Sequence, residues 1–298
     1  MDQAERLRNI IKRQQYQPDI PLKMARVITV TSGKGGVGKT SVSVNLAISL
    51  SRLGKRVVIL DADFGLANIE IMLGIRPQYN LADLMFRGKS MREIITYGPE
   101  NIGFISGGSG INEMANLNKS QIVDLVQKMA ELDQLADVVI VDTGAGIGNS
   151  VLEFVAASEE VLLVATPEPT SITDAYALLK ALNRNSAYHK AKTVVKLIAN
   201  QVRNKNDAGE LHEKLGVVVN KFLNIDIEFL GAIPYDENMS KAILRQDPIV
   251  LSAPSTSAAR SLLDIAARIG GDTDVNNQGF GIMRLFSSVI RMKFGRKE

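Results

Sequence analysis

The stretch Ser32-Gly33-Lys34-Gly35-Gly36-Val37-Gly38-Lys39-Thr40 satisfies the phosphate-loop pattern GxxxxGKT and places a second lysine, Lys34, inside the loop. Glycines at 33, 35, 36 and 38 can take positive φ angles, which lets successive backbone N–H groups approach phosphate oxygens. A helix starting near Lys39 adds the positive end of its dipole. Lys39 is expected to contact the β/γ-phosphates and Thr40 to offer its hydroxyl to Mg²⁺, within a cradle that runs from Gly33 to Ser41. The flanks agree: Arg26-Val27-Ile28-Thr29-Val30-Thr31 is a β-branched run, and Val44, Ala47, Ile48 and Leu50 follow at helical spacing. A glycine- and lysine-rich surface turn is the rival reading, and the complete pattern with both flanks outweighs it. The implied chemistry is nucleoside triphosphate hydrolysis.

Outward from the loop, Arg56 to Asp61 reads as a buried strand, followed by a polar loop at Ala62 to Asn68. Ile102 to Ile105 is a short apolar run, Lys119 to Leu135 has helical periodicity, and Asp137 to Asp142 is the next strand. Val161 to Thr166, Val194 to Asn200 and Ile227 to Ile233 complete the strands, with helices over 171–185 and 208–223 and a last one over Ser255 to Ile269. Strands apolar on both faces, alternating with helices, predict an α/β fold: a mostly parallel twisted sheet with helices on both faces, in one domain. Ligands of such sheets sit beyond the carboxyl ends of the strands. The phosphate loop, Asp61 with Asp63, Asp142, Asn200 and Pro234 to Asp236 all fall at such ends.

Phosphoryl transfer needs charge neutralisation on the γ-phosphate, a metal and an oriented water. Asp142 suits the Mg²⁺ shell, through water; the rival role is a cap on the turn that contains Gly144. Asp61 and Asp63 lie on the same side of an extended segment. Asp63 is the candidate for positioning the attacking water, and Asp61 lies nearer the metal; the rival is a solvated acidic loop. The metal set is therefore Thr40, Asp61 and Asp142, and the catalytic set Asp63, Lys34 and Lys39. Lys34 cannot easily fold back onto phosphates that its own backbone cradles. It is expected to reach the γ-phosphate held by a second subunit, which makes ATP the glue of a homodimer.

Composition narrows the classes. With 298 residues, 45% of them hydrophobic, the chain can bury a large core. No cysteine occurs, which removes disulfides, thiol nucleophiles and cysteine-held zinc or iron–sulfur sites. There is no run long and apolar enough to span a bilayer and no apolar signal region, so a cytoplasmic location is expected. The net charge of +3 is unevenly placed: both ends are basic and the body is mildly acidic. That pattern gives little support to nucleic-acid binding, and specific binding of that kind is not expected.

Together, KGGVGKT with Lys34 and Lys39, Asp61-Ala-Asp63-Phe-Gly-Leu-Ala-Asn68, the strand ending Asp142-Thr-Gly-Ala-Gly, Asn200 at a strand end and Ile233-Pro234-Tyr235-Asp236 resemble the MinD/ParA ATPases with the deviant Walker A motif, over about residues 25–270. The resemblance implies that Asn200, Pro234, Tyr235 and Asp236 hold the adenine, and that the ATP-bound form is a face-to-face dimer. Asn204-Lys205-Asn206-Asp207 spells the guanine-reading NKxD, but it begins past Asn200, where the strand ends, so ATP remains the expected nucleotide.

The two ends refine the resemblance. Residues 1–24 form an arm whose apolar stripe is Leu7, Ile10 and Ile11, too short to fold alone. Its DQAxxLR pattern, carried by Asp2, Gln3, Leu7 and Arg8, is similar to the activating arm of the FlhG type (FleN, YlxH), the flagellar-number branch of the MinD-like proteins. That likeness implies stimulation of the signal-recognition-type GTPase FlhF, and a link to switch-complex (C-ring) proteins of the flagellar base. After a linker at 271–279, residues 280–298 place Ile282, Leu285, Phe286, Val289 and Ile290 on one stripe, with Arg284, Arg291, Arg296 and Lys297 toward its flanks. Such a helix suits an anionic bilayer surface, peripheral on the inner face of the cell membrane, and two copies in an ATP dimer would add avidity. The rival is a terminal helix packed on its own domain. A ParA-like DNA segregation ATPase and a non-hydrolysing ATP-binding adaptor remain the rival functions.

Overall fold

The computed structural model describes residues 24–63, 67–107, 119–188, 192–204, 206–271 and 281–294. The arm residues Asp2, Gln3, Leu7 and Arg8 and nearly all of the expected linker therefore lie outside the described residues.

Eight strands form a single sheet in the order β3-β4-β2-β5-β1-β6-β7-β8. They are β1 (Arg26–Ser32), β2 (Val57–Ala62), β3 (Thr96–Tyr97), β4 (Gly103–Ile105), β5 (Val138–Ala145), β6 (Glu160–Ala165), β7 (Val194–Val202) and β8 (Ile227–Pro234). All pairings are parallel except that of β3 with β4 at one edge. β3, only two residues long, escapes periodicity analysis because so short a run carries no repeat. β1 lies between β5 and β6, where the chain stops building one half of the sheet and starts the other, and ligands of doubly wound sheets bind beyond such a switch point.

Strand residues alternate between two apolar layers, as the period of two requires. Ile28, Val30, Val138, Ile140, Leu162 and Val164 face the helices Lys39–Arg52 and Ser257–Gly271. Val139 and Val141 face the other way, toward Leu125 and Met129 of helix Lys119–Met129 and Phe154 of helix Asn149–Ala157. Val161, Leu163, Leu197 and Ala199 meet the helices Pro169–Asn183 and Asp207–Leu223. The expected helix over 119–135 is interrupted at Ala130 and Glu131, leaving a short second piece, Leu132–Leu135.

The tail takes the rival arrangement, packed on its own domain. In helix Ile282–Phe294 the side chains of Ile282, Leu285, Phe286 and Val289 are buried among Leu125, Val126, Met129, Leu132 and Phe154. The rings of Phe286 and Phe154 meet edge-on at 5.9 Å. The helix packs chiefly on Asn149–Ala157 and Lys119–Met129, which present an apolar groove beside the β2–β5 half of the sheet. Burying each such side chain is worth about 2 kcal/mol whether the apolar medium is protein or lipid, so an amphipathic stripe by itself does not choose between them. The side chain of Ile290 lies outside the described residues. Among the described residues no helix is long and apolar enough to cross a membrane.

Candidate functional site

The phosphate loop leaves the carboxyl end of β1 and enters helix Lys39–Arg52 through Gly38. Gly36 and Gly38 have φ of 80° and 89°, the left-handed values that favour glycine. Gly33 is required for a different reason: a Cβ there would overlap the backbone of Asp174. Gly35 has neither constraint, so the positive φ expected at Gly33 and Gly35 is not what the fold uses.

Asp142, fully buried at the end of β5, organises the loop's polar side chains. Its Oδ1 lies 3.1 Å from Lys39 Nζ and accepts the Ser43 hydroxyl at 2.9 Å, while its Oδ2 accepts the Thr40 hydroxyl at 2.7 Å. Side-chain partners on the phosphate-loop helix, rather than the Gly144 turn, therefore define its role. β2 and β5 are paired with Asp61 opposite Asp142, which brings the second carboxylate alongside. Burial, reinforced by the neighbouring Asp142 charge, pushes the Asp61 carboxyl up to about 7. Its Oδ1 accepts the Asp63 N–H at 3.1 Å, and its Oδ2 is buried with no hydrogen-bond partner.

That orphaned oxygen tests the fit of a divalent cation. Two buried carboxylates and the Thr40 hydroxyl form an all-oxygen donor set, which suits Mg²⁺ completed by phosphate oxygens and water. Among the described residues no cluster of three or more His, Cys, Asp or Glu could hold a metal on its own.

Asp63 is fixed by Asn68, which closes the same motif and had no role assigned from sequence: Asn68 Nδ2 donates to its Oδ2 at 3.0 Å, and its Oδ1 lies over Gly144. Lys34 is held within its own chain. Its ammonium donates to Glu168 Oε2 at 3.0 Å and Thr170 Oγ1 at 2.9 Å, where helix Pro169–Asn183 begins. Only the position of β6 beside β1 brings Glu168 and Thr170 to the loop, and no local pattern announces that adjacency. The Ser41 hydroxyl points away from the loop toward the sulfurs of Met72 and Met239, leaving its backbone as the means of joining the cradle.

At the opposite wall Asn200 Nδ2 donates to Val37 O at 2.7 Å, so its Oδ1 is the side-chain atom left to accept an exocyclic amine. Gln201, with a φ of 58°, reaches Gly36 O at 3.4 Å, a second clasp on the loop that its sequence did not signal. Tyr235 N–H joins Val202 O at 2.8 Å, and the Arg203 guanidinium lies 4.7 Å from the Tyr235 ring centroid. Asp236 caps helix Glu237–Arg245 by accepting from Asn238 N at 2.9 Å. Asn200 and Pro234 to Asp236 thus rim the same crevice, at neighbouring strand ends.

The guanine-motif look-alike resolves into a helix start. Asp207 accepts the N–H groups of Arg203 and Asn204 and the Asn204 side chain, contacts that hold its carboxyl below the usual range. Lys205 lies outside the described residues.

Residues 23–270 match the ParA family, described as NUBPL iron-transfer P-loop NTPase. The chain is 42% identical over 244 residues to the antiactivator FleN of Pseudomonas aeruginosa, covering 82% of this chain and 86% of that one. It is 33% identical over 268 residues to the flagellum site-determining protein YlxH of Helicobacter pylori, covering 89% of each. Among solved structures, the septum site-determining MinD of Pyrococcus horikoshii, complexed with Mg-ADP, superposes with a TM-score of 0.64 at 24% identity over 83% of this chain and 96% of that one.

Proposed function

The chain belongs to the ParA/MinD family of P-loop NTPases and is an ATPase, and we propose that it works as a flagellar-number switch whose ATP state controls the position of its tail helix. In this reading ATP and Mg²⁺ bind across the crevice. The loop amides and Lys39 take the phosphates, and Thr40, Asp61 and Asp142 hold the metal, which supplies charge neutralisation on the β/γ-phosphates. Asn200 Oδ1, with Pro234, Tyr235 and Asp236, receives the adenine. Lys39 exchanges Asp142 for phosphate, and Asp63, pinned by Asn68, orients water for in-line attack. Lys34 leaves Glu168 and Thr170 to reach the phosphate of a second copy, which closes a homodimer. The iron transfer in the family description does not carry over, because the chain offers no thiolate.

The carrying observation is the packing of the tail on helix Asn149–Ala157, which is separated by three residues from the Asp142-to-Ala145 end of β5. A change at Asp142 and Gly144 on nucleotide binding acts on the N-terminus of the very helix that carries Phe154. Release of the tail would present Ile282, Leu285, Phe286, Val289 and Ile290 to an anionic bilayer on the cytoplasmic side, and pairing in the dimer would strengthen the binding. The amino-terminal arm, through Asp2, Gln3, Leu7 and Arg8, engages the flagellar GTPase FlhF, and C-ring proteins are further partners. The test is sedimentation with anionic vesicles, in ADP and in ATP, of the full chain and of a chain ending at Gly271. ATP-dependent binding of the full chain alone supports the switch, and binding that ignores both nucleotide and truncation overturns it.

A further inference from the structure

Both ends of the domain meet at a single carboxylate. Ala25, just before β1, donates its N–H to Asp133 Oδ1 at 3.2 Å, and Ile282, the first residue of the tail helix, donates to the same oxygen at 3.1 Å. Beside them the Gly281 N–H points to Met24 Sδ at 3.4 Å. Asp133 sits on the short piece Leu132–Leu135, whose Leu132 belongs to the tail's own apolar cluster. Gly281 is buried and fits for lack of a side chain: a Cβ would overlap the Asp133 carboxylate.

The rest of the tail interface is mainly apolar and therefore tolerant of sliding and rotation, whereas a carboxylate at a helix N-terminus is directional and complements the helix dipole. Burial lifts the Asp133 carboxyl to about 6, against the pull of its two backbone donors, so without those donors the carboxylate would have little to stabilise it there.

We propose that Asp133 is the latch that seats the first turn of the tail helix against the root of β1, so that the two chain ends dock and release together. It is a positioning residue, acting through the backbone of Ala25 and Ile282. The proposal rests on the reading that the tail leaves the domain, and specifies what holds it until then. A partner that draws on the amino-terminal arm would displace Met24 and Ala25, take one donor from Asp133 and loosen the tail without entering the nucleotide crevice.

The absence of cysteine from the chain supplies a clean test. In the full-length protein, Val289→Cys places a single thiol on the buried face of the tail, and Ala208→Cys in a separate chain places one in the core beneath helix Asp207–Leu223. Maleimide labelling of nucleotide-free protein then reads opening at each place. Asp133→Ala is expected to speed labelling of Val289→Cys by about tenfold or more, the effect of losing hydrogen bonds to a charged group. Gly281→Ala acts in the same direction from the other side of the contact. Asp133→Asn, which keeps the accepting Oδ1, stays within about threefold of the parent, and the Ala208→Cys rate does not move. Unchanged tail labelling in Asp133→Ala and Gly281→Ala overturns the latch, as does an equal rise at both reporters. Vesicle sedimentation of the same variants separates the two layers: faster tail labelling without added vesicle binding supports the latch and removes the membrane reading.

Discussion

The phosphate-loop crevice and the tail groove are built on opposite principles. Around the loop, position is set by charge and directional hydrogen bonds: Asp142 holds Lys39, Thr40 and Ser43, Glu168 holds Lys34, and Asn200 holds Val37 O. In the tail groove Phe154, Leu125 and Met129 simply cover Ile282, Leu285, Phe286 and Val289, with Asp133 as a directional contact at one end. The crevice keeps its cations and hydroxyls parked on carboxylates, from which, in the proposed reading, an arriving anion takes them over. In the proposed switch the groove's occupant leaves it, because a bilayer would offer the same apolar stripe a comparable environment.

The largest expected effect separates the two regions outright. Lys34→Ala should lower ATP turnover by about 10³-fold or more and abolish ATP-induced dimerisation, while ATP binding measured by calorimetry stays within a few-fold, as expected for a cation that acts across an interface. Retained turnover would show that Lys34 is only a loop anchor, and would move the crevice toward the undemanding chemistry of the groove.

Phe154→Ala probes the groove from the domain side and leaves the tail's own sequence intact. It should lower stability in denaturant by about 3 kcal/mol and raise vesicle binding in ADP, since the docked state loses the partner of Phe286. Loss of stability without any gain in vesicle binding would mean that the groove is ordinary core.

Asp61→Asn sharpens the claim that the crevice stores electrostatic cost for its ligand. The folded-state value near 7 lies above the usual carboxyl value of 3.8, so the nucleotide-free folded protein holds the proton more tightly than the unfolded chain. Asp61 should therefore contribute a term to nucleotide-free stability that is fully present at low pH and declines as pH rises from about 4 to about 7, at up to roughly 1.4 kcal/mol per unit. Asp61→Asn should remove Asp61's share of the pH dependence, raise the melting temperature at neutral pH by an amount equivalent to up to about 4 kcal/mol, and weaken Mg²⁺-dependent nucleotide binding. A parallel pH profile in the variant would remove Asp61 from the account.

The smallest effect is expected at Asp207, whose carboxylate serves the start of its own helix. Asp207→Ala should lower the melting temperature only slightly and leave the preference for ATP over GTP, measured by competition, within about twofold. A shift toward or away from GTP would restore the guanine motif as a functional one.

The parts of the crevice that could be read from sequence are those in which residue type, spacing and backbone act together. The glycines, Lys39 and Thr40 announce themselves because the loop is local, and Asp61 and Asp142 because each ends an apolar run. Glu168, Thr170 and Gln201 went unread, and Asn68 was named in a motif without its role: each is an ordinary polar residue in isolation, and gains its role only because β6 and β7 flank the loop or a short helix turns back over Asp63. The tail was legible as an amphipathic helix and illegible as a docked one, because periodicity reports that an apolar face exists and carries nothing about what will cover it.

The sequence alone thus determined the alternating α/β architecture, the phosphate loop, the carboxylates at strand ends and an amphipathic segment after the domain, since these follow from local backbone preference and from the period of burial. Only the tertiary structure decided that Lys34 rests on Glu168 and Thr170, that Asp61 keeps a buried oxygen free, that the tail stripe faces Phe154, and that Ala25 and Ile282 share Asp133. Each of these joins residues far apart along the chain, and which distant groups become neighbours is fixed by strand order and by competition for apolar cover.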